Sequence, residues 1–162
     1  MPTNDQKIAT CLWFDGQAEA AIDFYSAVFK ENLQRGDILR WGDGGPGVKG
    51  SVLTAGFYLF GQEFVCLNGG PQFRFNESVS LYIKCKDQAE VDYYWQKLGE
   101  GGKESMCGWI QDKFGFWWQV VPESMLKMLT SKDQKKIDSA MKAMMTMRKL
   151  DKAKLEAAYQ AG

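Results

Sequence analysis

Histidine is absent from all 162 residues. That removes the side chain most often used both as a metal ligand and as a general base near neutral pH, so any chemistry falls to carboxylates, amides, Lys, Tyr or Cys. The densest gathering of side chains suited to a site is CGWIQDKFGFWWQVVP, Cys107 to Pro122. It reads as two short strands around a tight turn, with Asp112 bonding the backbone two residues on and Gly115 supplying a positive φ. Alternation along the second strand puts Trp117, Gln119 and Val121 on one face and Phe116, Trp118 and Val120 on the other. Gln119 is therefore an amide set in an apolar wall. A buried amide needs partners, which a ligand in a cavity supplies and neighbouring strands or water supply equally well.

The other reactive types carry weaker signals. Cys11, Cys66, Cys85 and Cys107 are widely spaced, form no C-x-x-C pair and sit in apolar strand-like runs. They read as small buried residues kept reduced, and a reactive thiol among them would lack a neighbouring His to activate it. The GDGGPG segment, residues 42–47, lacks the G-x-x-x-x-G-K-[ST] order and precedes a strand rather than a helix, so it reads as a mobile loop near a cavity mouth. Lys and Arg total 20, as do Asp and Glu, leaving no net field for a polyanion. Nucleic acid and anionic membrane surfaces are disfavoured as partners. No apolar run is long enough to span a bilayer and MPTNDQK has no signal-peptide apolar region, which gives a cytoplasmic expectation.

Positioning these groups requires strands and helices. Residues 7–14 predict a strand, followed by a helix over Gln17 to Phe29 with Asp15 as its cap and Ala18, Ala21, Ile22, Tyr25 and Phe29 on its apolar face. Residues 32–48 read as a Gly-rich connection. Strands over 51–60 and 63–67 form a hairpin near Gly61-Gln62, and a strand over 78–85 leads into a helix capped by Asp87 with Glu90. Gln17-Ala18-Glu19 recurs as Gln88-Ala89-Glu90, each at a strand-to-helix junction. The repeated order predicts an α+β fold of two βαβββ modules, residues 7–70 and 78–122 of one domain spanning 1–122, paired into a cup. Residues 123–162 read as a helical extension, with Ser131 and Gln134 as a capping box, a stripe through Ile137, Met141, Met144 and Arg148, and Asp151 capping a last helix. Six of the eight Met fall between Met125 and Met147. At helical spacing they predict core, with a subunit contact or a lid on the cup as the other reading.

Several segments together carry a family resemblance: LWFDGQAEAAIDFY at 12–25, FVCLNGGPQFRFNESVS at 64–80, EVDYYWQKL at 90–98 and the Cys107 to Pro122 stretch. They resemble the PhnB-like family of the vicinal oxygen chelate superfamily, relatives of glyoxalase and of bleomycin and fosfomycin resistance proteins. Its members are often labelled demethylubiquinone methyltransferase domains. The resemblance implies paired βαβββ modules forming a cup-shaped mixed sheet, usually within a homodimer. It also puts the superfamily's metal-ligand positions at or near Thr10 and Ser80, on Gln119, and near Cys66 or Asn68. Thr, Ser and neutral Gln are poor ligands for divalent ions held by imidazole and carboxylate, so no metal is expected. No Gly-rich strand-loop-helix start suited to an adenosyl cofactor is present, so no cofactor is expected either.

The resulting expectation is a cytoplasmic homodimer whose cup binds a small, partly aromatic or amphipathic organic molecule. Tyr82 and Trp117, with Phe73 and Phe75, supply apolar walls. Arg40, Asn68, Ser80 and Gln119 orient polar atoms, Thr10 occupies the first-strand position, and Trp109 and Cys107 line the rim or simply pack. One alternative is a metal-independent enzyme using Tyr82, Glu63 or a cysteine; a second is an interaction module working through the Met-rich helices.

Overall fold

The structure, a computed structural model, describes residues 6–162. The chain divides between Arg74 and Phe75 into two units. In the first, β1 (Thr10–Phe14) leads into α1 (Ala18–Phe29), followed by β2 (Leu33–Arg40), β3 (Val52–Leu59) and β4 (Gln62–Asn68). The sheet order is β1-β4-β3-β2, with β1 parallel to β4 and the remaining pairs antiparallel. Helix α1 buries Ala18, Ala21, Ile22, Tyr25, Val28 and Phe29, the three- and four-residue spacing of one helical face. Beneath it Tyr25 meets Phe57 at 6.1 Å between ring centroids, and Phe57 stacks on Phe64 at 4.8 Å.

The second unit repeats this order. β5 (Ser80–Cys85), α2 (Gln88–Gly99), β6 (Lys103–Glu104), β7 (Trp109–Gln111) and β8 (Trp117–Pro122) form a sheet of order β5-β8-β7-β6, again with the first and last strands parallel. The duplication read from the sequence is thus a duplication of topology, and the fold is α+β with two βαβββ modules. The chain continues as α3 (Glu123–Leu129), α4 (Gln134–Met144) and α5 (Lys152–Ala161). These helices belong to the second unit, around a core of Val121, Met125, Met128, Leu150 and Leu155. No helix among the described residues is long and apolar enough to cross a membrane.

Local details depart from expectation where partners distant in sequence intervene. Residues 33–40, read as part of a Gly-rich connection, form β2, an edge strand whose residues beyond Leu33 are mostly exposed and whose pairing with β3 is irregular near Gly36. An exposed, irregular edge strand loses the alternation that marks strands in sequence. The GDGGPG loop folds against the Trp41 indole, so closely that a Cβ on Gly45 would lie 2.0 Å from the ring. Helix α1 begins after Gln17 rather than Asp15 and has no cap of its own; Asn68 Oδ1 accepts from Ala18 N at 3.0 Å instead. Asp133, not Ser131, caps α4, and α4 ends before Arg148. Asp87 and Asp151 cap α2 and α5 as expected.

The turn from β7 to β8 is fixed by Asp112, a buried carboxylate at 2% exposure. It accepts hydrogen bonds from Phe114 N at 2.9 Å, Phe116 N at 3.1 Å and Trp118 Nε1 at 2.8 Å. Three donors compensate the desolvation of the charge and bind the turn to the strand it launches. Asp112→Ala orphans all three, and the expected loss in a urea unfolding experiment is about 2–4 kcal/mol, the sum of a few charge-assisted bonds. A loss below about 0.5 kcal/mol, within the range of ordinary surface substitutions, contradicts this role.

Candidate functional site

Residues paired in register present their side chains on the same face of a sheet. In the second unit Ile110 pairs with Trp118, and a Cβ on Gly99, the last residue of α2, would stand 2.8 Å from Ile110 Cδ1. Ile110 and Trp118 therefore lie under α2. The neighbours one step along each strand face away from the helix. There Gln119 pairs with Tyr82 on one side and Trp109 on the other, while Trp117 pairs with Ser80 and Gln111. Five of the expected site residues, Ser80, Tyr82, Trp109, Trp117 and Gln119, share this single face.

Gln119 Nε2 donates to Ser80 Oγ at 2.9 Å. The Trp109 and Trp117 rings meet edge to face, with centroids 6.4 Å apart. Tyr82 is partly exposed, and burial of the remainder pushes its phenol above the usual tyrosine value. A phenol shifted in that direction stays protonated near neutral pH. Gln111 completes the row, its Nε2 donating to Gly115 O at 3.0 Å. Register with Trp117 was the signal for Gln111, and a two-strand reading without pairing partners could not supply it.

In the first unit Thr10 pairs with Phe64, and Asn68 with Phe14, so both face α1. Asn68 is used at both ends: its oxygen caps α1 and its Nδ2 donates to Val52 O at 3.1 Å. Thr10 and Asn68 thus lie on the helix-covered side, opposite to Cys11 and Trp13. Trp13 was missed in the sequence reading. Its indole donates to Gly70 O at 2.8 Å and meets Phe73 edge to face at 4.9 Å, and a Cβ on Gly69 would sit 2.3 Å from the ring. Arg40 pairs with Glu19 Oε1 at 2.9 Å and donates to Gly50 O at 3.1 Å, at a cleft of about 380 Å³ also lined by Gly16, Trp41, Ser51 and Asn68. Phe75 packs edge to face on Phe116, with centroids 5.1 Å apart.

The residues at the positions where the superfamily places a divalent ion do not fit one. Thr10 and Asn68 face α1, Ser80 and Gln119 are neutral and bonded to each other, and no group of three or more His, Cys, Asp or Glu among the described residues could hold an ion. The link from β1 to α1 is the short Asp15-Gly16-Gln17, and both sheets mix parallel and antiparallel pairs, unlike the all-parallel, doubly wound type that carries a Gly-rich nucleotide cradle.

A family model described as 3-demethylubiquinone-9 3-methyltransferase matches residues 6–121. Among solved structures, the PhnB protein of Bacillus cereus is 36% identical over 72% of this chain and 99% of its own, with a TM-score of 0.65. PA1353 of Pseudomonas aeruginosa is 20% identical over 74% of this chain and 98% of its own, TM-score 0.60. The fosfomycin resistance protein FosX of Listeria monocytogenes is 15% identical over 81% of this chain and 100% of its own, TM-score 0.52. The last two speak to fold alone. No curated protein matches the chain. The repeated module and these likenesses define the vicinal oxygen chelate fold. Within that fold the chain belongs to the PhnB-like family, the one described as 3-demethylubiquinone-9 3-methyltransferase.

The cysteines separate by environment. Cys11 is exposed, whereas burial pushes the Cys66 and Cys85 thiols up to about 12. A thiol reagent at pH 8 is expected to label Cys11 in the native protein and to reach Cys66 and Cys85 only on unfolding. Because the folded state holds these protons above pH 9 while the unfolded state releases them, stability falls as pH rises from 9 towards 12. Cys66→Ala is expected to flatten that decline by about 1.4 kcal/mol per pH unit, the linkage of one proton. An unchanged slope between pH 9 and 10.5 contradicts the assignment.

Proposed function

We propose that this chain is a small-molecule-binding protein that works without the divalent ion of its superfamily, and that the ligand docks on the face carrying Ser80, Tyr82, Trp109, Trp117 and Gln119. The observation that carries the reading is the register around β8, which sets two indoles, a protonated phenol and a tied amide-hydroxyl pair side by side. Aromatic faces supply area, while the phenol and the amide oxygen orient a ligand bearing both an acceptor and a donor. Poor divalent ligands at the expected positions support metal independence.

The enzymatic alternative draws less support. Tyr82 and the two buried thiols are all shifted away from the ionised form that a base or nucleophile requires. A homodimer is part of the proposal; sedimentation equilibrium reads it directly, and the mass of a single chain contradicts it.

Screening small aromatic acids, amides and phenols by quenching of tryptophan emission tests the face. A hit is expected to bind Gln119→Leu about tenfold more weakly, the worth of one or two hydrogen bonds. A hit that binds this variant and Trp109→Ala with unchanged affinity contradicts the site.

A further inference from the structure

We propose that the ligand of the β8 face is an aromatic carboxylate, drawn there by Lys84 and Lys103; the inference rests on the ligand face proposed above and adds the charge of its occupant. Strand register places both lysines on that face. Lys84 pairs with Val121 and stands two residues beyond Tyr82 on β5, about 7 Å along the strand. Lys103 pairs with Gln111 and lies diagonal to Trp109, a spacing of about 7–8 Å. The next residue fixes the side. Glu104 pairs with Ile110, and its Oε1 accepts from Trp95 Nε1 of α2 at 2.9 Å, so β6 turns Glu104 towards the helix and Lys103 away from it.

None of the strand-paired residues on this side of the sheet is Asp or Glu, and Glu104, the carboxylate of β6, is engaged by the Trp95 indole on the other side. Lysines elsewhere are neutralised by neighbours, as Lys97 is by Glu100 at 2.9 Å and Lys149 by Asp92 at 2.6 Å. Among the described residues Lys84 and Lys103 have no ion-pair partner. Both are exposed, and a flexible four-carbon stem lets each ammonium swing over the aromatic rows. The chain as a whole carries no net charge, so the positive field belongs to this face and not to a generally basic protein. An aromatic body covers the Trp109 and Trp117 indoles while a carboxylate at its end meets an ammonium. A cationic ligand meets repulsion from two sides of the same face, with no carboxylate there to offset it.

The test follows the Trp109 and Trp117 indole N–H resonances of the full chain by NMR during titration with naphthoate, cinnamate and indole acetate, each against its neutral amide. At low ionic strength at least one acid is expected to bind about tenfold more tightly than its amide, two exposed charges contributing about threefold each, and to lose that advantage in about 1 M salt. Lys84→Gln and Lys103→Gln are each expected to weaken the acid about threefold and leave the amide unchanged. Lys142→Gln, the same loss of charge on α4, is expected to change neither. Equal affinity for every acid and its amide, with both indoles perturbed, overturns the charge preference and leaves the ligand face standing. Failure of all these compounds to perturb either indole overturns the face and this inference with it.

Discussion

The pairing of β8 between β5 and β7 is the constraint on which the second unit depends. It is parallel on one side and antiparallel on the other, and a slip of one residue would carry Trp117 and Gln119 under α2 and bring Trp118 and Val120 out. Four features pin the register. Asp112 clamps the turn that launches β8 and holds the Trp118 indole on the helix side. Gly99 lets α2 close on Ile110, and Gly108 lets Val120 N reach its carbonyl where a side chain would collide with Val120 O. At the far end Val121 enters the core formed with α3 and α5, so the C-terminal helices reinforce the same alignment.

The two modules share topology but cap their first helices differently. In the first, the end of the last strand carries Asn68, whose amide substitutes for the missing cap of α1 and ties down β3. In the second, α2 has its own cap in Asp87, which leaves the last strand free of that duty. Gln119 on that strand bonds Ser80 across the sheet.

The α+β class, the duplicated module and the face shared by Trp117 and Gln119 were legible because buried strands and amphipathic helices print their periods on the sequence. Edge strand β2 was not, since exposure erases alternation. Thr10 and Asn68 were placed among the ligand residues by resemblance, and only strand register shows which side of the sheet they occupy. Trp13 escaped notice because it sits between Leu12 and Phe14 in a uniformly apolar run, where period-two faces cannot be told apart by hydrophobicity alone. Asp15 looked like a cap because capping by a residue fifty positions away leaves no local trace.

Native mass spectrometry of the purified protein, followed by denaturing release, tests the central claim most directly. The account predicts an organic mass that departs on denaturation, with no stoichiometric divalent ion, and loss of that mass in Gln119→Leu. A stoichiometric divalent ion retained by the wild-type chain and lost in Ser80→Ala or Gln119→Leu would contradict it.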